Sequence, residues 1–383
     1  MSMNNSPLVS VFILCFNHEK YIGKTIESVL GQTYGNIELV VVDNCSSDSS
    51  AEIISEYAAK DGRIKFFPME YNTLVSYGSN FAISECRGEY ICPLSGDDYF
   101  EPEKVAAQLD FMREKGLDLS FTWINVVDES DELIEEHPVT AWFNKPELLD
   151  GADILRSYIT QENRTNAVTV MFRRTLVEDG TMFDNRLLQT QDYDMWIRLL
   201  LRTDRAAVMQ RKLSCYRVMS NGANLSMGLT DAKKNRIDFE MLHVFRNFCF
   251  FPASLIGVLI GADVSEKDKL ERLYCFFELK EIDYGRFAVL LEQFDRLGHD
   301  CAVNTEQFAF FFKKYAEFNF AYQSKCSDVD AVRKELVIRG EELRQAKAEL
   351  DATSASLNAI YSTKFWKLYR KLGRLKKLMT GAL

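Results

Sequence analysis

Asp97 and Asp98 stand side by side where an apolar segment, Tyr90-Ile91-Cys92-Pro93-Leu94, gives way to Ser95-Gly96. Adjacent like charges repel, and they relieve the repulsion by raising one pKa or by recruiting a cation. At the carboxyl end of a strand in an open α/β sheet, such a pair can hold a divalent metal that carries phosphates. The plainer alternative is a polar turn ahead of a helix with Pro102 in its first turn.

Few other residues offer comparable chemistry. Four histidines, at 18, 137, 243 and 299, are far apart, and nine cysteines are scattered with no Cys-x-x-Cys pair. An odd, dispersed set argues for reduced thiols, not a disulfide framework or a zinc site. At 383 residues, 47% of them apolar, the chain is long enough for two or three domains with full cores. Residues 1–228 carry 21 Lys and Arg against 34 Asp and Glu, which does not suit general nucleic-acid binding. The last 32 residues hold seven basic groups and no acid. Residues 1–7 are polar and the next apolar run reads as a strand, so no secretory leader is expected.

The acidic pair needs a sheet to position it. Residues 8–16 and 37–43 are almost continuously apolar and β-branched, the pattern of strands buried on both faces. Further strands are expected at 63–68, 90–95, 119–127 and 167–174, and helical periodicity at about 20–30, 49–61 and 76–84, with another helix from Gln191. Such alternation predicts an α/β fold with a parallel sheet built from right-handed crossovers. Residues 128–150 are acid-rich and irregular and read as a loop. From about 231 to 322 the strand signals stop and the pattern is helical. Residues 248–262 lack charge for 15 positions but are too short for the ~20 of a membrane span. They read as a core helix or an interfacial segment. The expected divisions are 1–228, 229–325, 326–361 and 362–383.

Positions 329, 336, 343, 350 and 357 carry Val and four Leu, and positions 332, 339, 346, 353 and 360 carry Val, Arg, Ala, Thr and Ile. This alternating spacing is the seam of a coiled coil, which would join a second copy or a partner; one long helix packed on its own body is the alternative. In residues 362–379 a helix would place Phe365, Leu368, Leu372, Leu375 and Met379 on one face and most basic groups elsewhere. Basic amphipathic helices lie in anionic lipid interfaces. The expectation is therefore a cytoplasmic protein held peripherally on the inner face of the cytoplasmic membrane, with a partner-binding or disordered tail as the alternative.

Five motifs occur in a recognisable order: residues 7–17 opening on Pro-Leu-Val-Ser-Val, Ser28-Val29-Leu30-Gly31-Gln32-Thr33-Tyr34, Val42-Asp43-Asn44-Cys45-Ser46-Ser47-Asp48, Gly88-Glu89-Tyr90-Ile91 ahead of the acidic pair, and Gln191-Asp192-Tyr193-Asp194-Met195-Trp196. On these the chain resembles family 2 glycosyltransferases, inverting enzymes of the GT-A fold that use nucleotide-sugar donors. The resemblance covers residues 7–228. It implies a Rossmann-like, mostly parallel sheet flanked by helices, followed here by an all-helical region and the coiled coil.

By the same resemblance, the chain would move a sugar to a hydroxyl of a glycan or lipid-linked acceptor in bacterial surface polysaccharide assembly. Asp98 would hold Mn2+ or Mg2+ together with Asp97, which would also meet the ribose or donor sugar. Phe16, Asn17, Asn44 and Asn80 would bind the donor, with the Asn44 amide carbonyl accepting from a base N–H. Asp192 would be the general base. Its place at a helix N-terminus also suits a purely structural acid, the role expected of Asp194, and Trp196, Leu199 and Leu200 are expected to pack. Four positions depart from the family pattern: Asn44 for an Asp, Ser79 for an Arg, Gln191 for a Glu, and Met219 near a common His. They keep open a second reading, a GT-A-like subunit without turnover that acts through its coiled coil. A nucleotidyltransferase would need a Gly-rich basic loop near the first strand, and none is present.

Overall fold

Runs of β-branched residues with no polar alternation need cover on both faces, and the computed structural model supplies it. Residues 6–161, 163–180, 182–219, 230–247 and 252–260 are described, with the single position 345. Eight strands form one sheet in the order β3-β2-β1-β4-β7-β6-β8-β5. They are β1 (Val9–Cys15), β2 (Ile37–Asp43), β3 (Ile64–Pro68), β4 (Tyr90–Ser95), β5 (Tyr99–Phe100), β6 (Leu119–Val127), β7 (Met171–Arg173) and β8 (Ala206–Arg217). The pairs β1–β2, β1–β4, β2–β3 and β6–β8 are parallel; β4–β7, β6–β7 and β5–β8 are antiparallel. The sheet is thus mixed and mostly parallel. This is the mostly parallel sheet expected, with the three-residue β7 running antiparallel between β4 and β6 after a 3-10 turn at Ala167–Thr169.

Helices α1 (Ile22–Leu30), α2 (Ser50–Lys60), α3 (Leu74–Glu85) and α4 (Lys104–Lys115) connect the first strands. The central core joins Val9, Val11 and Ile13 of β1 and Leu39 and Val41 of β2 with Ile22, Ile26 and Val29 of α1 and Val105, Leu109 and Met112 of α4. Gly88 is fixed by space: a Cβ there would lie 2.5 Å from the Ser10 backbone nitrogen.

Further along are α5 (Pro138–Phe143), α6 (Gly151–Gln161) and α7 (Gln191–Leu200). Residues 128–150 are therefore not wholly a loop. Pro138 takes the first helical position of α5, and His137 Nδ1 accepts from the Val139 N–H at 3.2 Å. Helix α7 is anchored by Trp196, fully buried among Phe121, Phe172 and Phe183 with ring centroids 5.9, 6.3 and 6.0 Å away. Leu199 and Leu200 are buried beside it.

The chain divides into two units, Met1–Ala302 and Val303–Leu383. The first includes α8 (Asp231–Arg246) and α9 (Ala253–Ile260). The expected coiled coil and basic amphipathic tail, and the helical stretch from 261 to 325, lie outside the described residues apart from position 345. Among the described residues no helix is long and apolar enough to cross a membrane.

One contact ties α8 to the loop that precedes α7. The carboxylate of Glu240, 2% exposed, accepts from the backbone N–H groups of Leu188, Gln189 and Thr190 at 2.9, 2.8 and 3.0 Å. These donors immediately precede α7, so an acid from another helix holds the loop that leads into it. Glu240→Ala would leave buried donors without partners. A stability loss of about 2–5 kcal/mol is expected in denaturation of the full chain; a loss below ~0.5 kcal/mol would remove this role.

Candidate active site

Strands β1, β2, β4 and β6 run in the same direction, so their carboxyl ends share one edge of the sheet. This is the edge where open α/β sheets bind ligands. Phe16 and Asn17 leave β1 there, Asp43 and Asn44 close β2, Asp97 and Asp98 follow β4, and Asp128 follows β6.

The turn carrying the acidic pair is fixed from below and from the side. Gly96 has no room for a side chain, since a Cβ would stand 2.6 Å from His18 Nδ1 and 3.2 Å from Cys15 Cα. The Thr25 hydroxyl of α1 lies 3.0 and 2.7 Å from the Gly96 and Asp98 carbonyl oxygens. Asp97 is half-buried and accepts from the Ser95 hydroxyl at 2.5 Å. Asp98 is 2% exposed and accepts the Arg217 backbone N–H at 2.8 Å. Burial, and then the neighbouring Asp97 charge, push the Asp98 pKa well above the usual carboxylate range.

Arg217, 1% exposed at the end of β8, is the residue that organises this turn. Its Nε donates to the Asp97 carbonyl at 2.8 Å, its Nη1 to the Asp128 carbonyl at 2.7 Å, and its Nη2 to Asp131 Oδ1 at 2.5 Å. The guanidinium also covers the Tyr21 ring at 4.4 Å. Lys24 pairs with the same Asp131 at 3.0 Å, and these two cations lower the Asp131 pKa against the effect of burial. One buried cation thereby joins the ends of β4, β6 and β8. Sequence reasoning assigned Arg217 no role. The available signal was a cation closing the apolar run Leu213-Ser214-Cys215-Tyr216.

The pair fits a hard divalent cation. One oxygen on each carboxylate takes no hydrogen bond among the described residues, and oxygen donors are what Mg2+ and Mn2+ prefer. No third His, Cys, Asp or Glu completes a cluster among the described residues, so phosphates and water would supply the other positions.

The other expected donor-site residues hold loops. Asn17, in the left-handed region at φ 57°, accepts from the Ser47 N–H at 2.8 Å and joins the loops after β1 and β2. Phe16 beside it is 42% exposed. Asn44 Oδ1 accepts from the Thr73 N–H and hydroxyl at 2.8 and 2.7 Å, while its Nδ2 donates to Asn72 and to the Leu74 carbonyl at 3.1 and 3.2 Å. That amide is saturated, which leaves no lone pair for the base N–H it was expected to accept. Asn80 spends its amide on the loop before α7, donating to the Phe183 carbonyl and Asn185 and accepting from the Phe183 N–H at 2.8, 3.0 and 2.8 Å. Ser76 donates to the Leu187 carbonyl of the same loop at 2.6 Å.

Asp192 lies in the first turn of α7 and keeps some exposed surface. Its Oδ1 accepts the Tyr193 N–H at 2.7 Å and its Oδ2 accepts the Asn163 amide at 3.1 Å. Burial raises its pKa to about 6, more than those two donors lower it. No hydrogen bond joins it to Asp97 or Asp98 among the described residues. Asp194 points the other way, buried against Arg198 at 2.7 Å and Asn247 at 2.7 Å, the structural role expected of it. Asn163 and Glu240 escaped sequence reasoning because their partners are 29 and about 50 positions away.

Residues 10–179 match the model of Glycosyl transferase family 2. An uncharacterized glycosyltransferase of Methanocaldococcus jannaschii is 31% identical over 225 residues, 58% of this chain and 74% of that protein. A putative teichuronic acid biosynthesis glycosyltransferase, TuaG of Bacillus subtilis, is 30% identical over 251 residues, 64% of this chain and 94% of its own. The fold is shared with S. aureus TarS 1-349 in complex with UDP-GlcNAc, at a TM-score of 0.53, 21% identity and coverage of 79% of this chain and 83% of that one. It is also shared with a Pyrobaculum calidifontis mannosyltransferase in complex with GDP-Man and Mn2+, at a TM-score of 0.50, 13% identity and coverage of 80% and 83%. The sheet order, the acidic turn at its carboxyl edge and these relatives agree: the chain belongs to glycosyl transferase family 2.

Proposed function

We propose that the chain is a metal-dependent inverting glycosyltransferase that moves a sugar from a nucleotide-sugar donor to a hydroxyl of a glycan or lipid-linked acceptor, in bacterial surface polysaccharide assembly. The observation that carries this reading is the acidic turn at the carboxyl edge, with Asp98 buried beside Asp97 and held by Arg217. Support for the donor class comes from neighbours of the same fold, one in complex with UDP-GlcNAc and one with GDP-Man and Mn2+. Support for the pathway comes from the teichuronic acid enzyme.

Asp98 and Asp97 would hold the divalent ion. Bound there, it would neutralise pyrophosphate charge as a Lewis acid. Arg217 keeps both acids in register, and Asp131 and Asp128 hold Arg217 in turn. Asp192 receives the acceptor hydroxyl's proton. Each of its oxygens has a lone pair beyond the one already used, so the acceptor can be met without breaking the existing bonds. The basic tail would bring the enzyme to an anionic lipid surface, where a lipid-linked acceptor resides.

Metal-dependent release of nucleoside diphosphate from a nucleotide sugar tests the activity directly; its absence across a donor panel would favour the scaffold reading. Asp98→Ala should abolish that release at any Mn2+ concentration, and full turnover in the variant would remove the metal assignment. Asp192→Asn should lower kcat by ~10²–10⁴-fold. In the unsubstituted chain kcat should rise with pH through about 6, as the carboxylate loses its proton. A flat profile between pH 5 and 8 would exclude Asp192 as the base. Truncation after Ile360 should weaken co-sedimentation with phosphatidylserine-containing vesicles; undiminished sedimentation would remove the membrane role of the tail.

A further inference from the structure

Around Asp192 the hydrogen bonds close into a ring. The Asn163 amide donates to Asp192 Oδ2 at 3.1 Å, and its own oxygen accepts from the Thr165 N–H and hydroxyl at 3.1 and 3.2 Å. The Thr165 hydroxyl meets the Tyr158 hydroxyl at 2.5 Å, and the Tyr193 hydroxyl donates to the Tyr158 carbonyl. Tyr193 then returns to Asp192 through its backbone N–H. Tyr158, Thr165 and Tyr193 are buried, and the two tyrosine rings meet edge-on at 5.0 Å.

This ring decides which way the Asn163 amide points. With its oxygen committed to Thr165, only the NH2 group can face Asp192, and a flipped amide would set oxygen against carboxylate. Outside the ring, Trp142 Nε1 donates to the Asn163 carbonyl at 2.8 Å, and the Arg164 guanidinium lies 3.5 Å over the Trp142 ring. Trp142 belongs to α5, so the segment 163–165 is held from two sides.

We propose that Asn163 is the positioning residue of Asp192, fixing the orientation of its carboxylate for the acceptor hydroxyl and stabilising its ionised form. The inference rests on the reading of Asp192 as the base. The groups facing this carboxylate are the Asn163 amide, the Tyr193 N–H and the buried Tyr158. Asp194 on the same helix is turned to Arg198 and Asn247, Glu240 of α8 to the backbone of 188–190, and no ion pair reaches Asp192 among the described residues.

The sign of the linkage gives a test that needs no substrate. Because burial raises the folded-state pKa to about 6 from 3.8, ionisation of Asp192 opposes folding as pH rises through that window. A donor to the ionised form offsets this cost only where the carboxylate is charged. Thermal unfolding of the full chain is therefore compared at pH 5 and pH 8 for the unsubstituted protein, Asn163→Ala, Asp192→Asn and the double variant. Asn163→Ala should lower Tm by about 2–4 °C more at pH 8 than at pH 5, and the extra loss should vanish when Asp192 is Asn. An equal loss at both pH values, or one that persists in the double variant, overturns the proposal. If Asn163→Ala does not fold, Thr165→Val replaces it: the same pH-dependent loss supports the proposal, and a pH-independent one overturns it.

In turnover, Asn163→Ala should move the acid limb of kcat upward by about one pH unit with donor KM unchanged. An unmoved limb overturns the positioning role. Full kcat in Asp192→Asn would instead defeat the base assignment, while the thermal cycle still reports on the Asn163 contact.

Discussion

A buried cation beside two adjacent carboxylates is the constraint on which the rest of the site depends. Like charges placed together in a buried turn are unfavourable unless something of opposite sign is close. Arg217 places a cation there, although burial still holds the Asp98 pKa high, and it directs four donors at two chain segments: its own N–H on Asp98, and its guanidinium on the Asp97 carbonyl, the Asp128 carbonyl and the Asp131 carboxylate. A planar fork can serve several acceptors at once in a way that a lysine cannot. The pairing of β8 with both β6 and the two-residue β5 sets position 217 alongside the turn after β4.

The third acid is held on a different principle. Asp192 meets no cation among the described residues; it sits in a neutral ring of amide and hydroxyl groups. Burial raises its pKa to about 6, a range that suits the general base proposed above. Burial thus raises the pKa of both Asp98 and Asp192, the first with a cation beside it and the second among neutral donors. Two amides connect them to the scaffold: the saturated Asn44 fixes the start of α3, and Asn80 ties α3 to the loop leading into α7.

Much of the architecture is legible in linear order. Strands β1, β2 and β4 are continuous apolar runs, and their positions follow from that pattern alone. Strand β8 is harder to see because Gln210, Arg211 and Lys212 interrupt it with exposed polar residues at an irregularity in its pairing with β6. Helix α5 hides in an acid-rich stretch, although His137-Pro138 is a usable start signal. Among the site residues, the acidic pair and Asp192 are readable from local motifs. The saturation of Asn44 is not, because Thr73 is 29 positions away and nothing near Asn44 specifies it. Glu240 is invisible for the same reason, its partners lying about 50 residues upstream.

The family match closes at residue 179, yet Asp192, Arg217 and Glu240 all follow it. The stretch matched by the family model therefore lacks three side chains on which this arrangement rests. A chimaera that grafted a foreign carboxyl-terminal half onto residues 10–179 would inherit the acidic turn without the guanidinium that locks it. In this chain the second half supplies the guanidinium that braces the acidic turn and the carboxylate that holds the loop before α7.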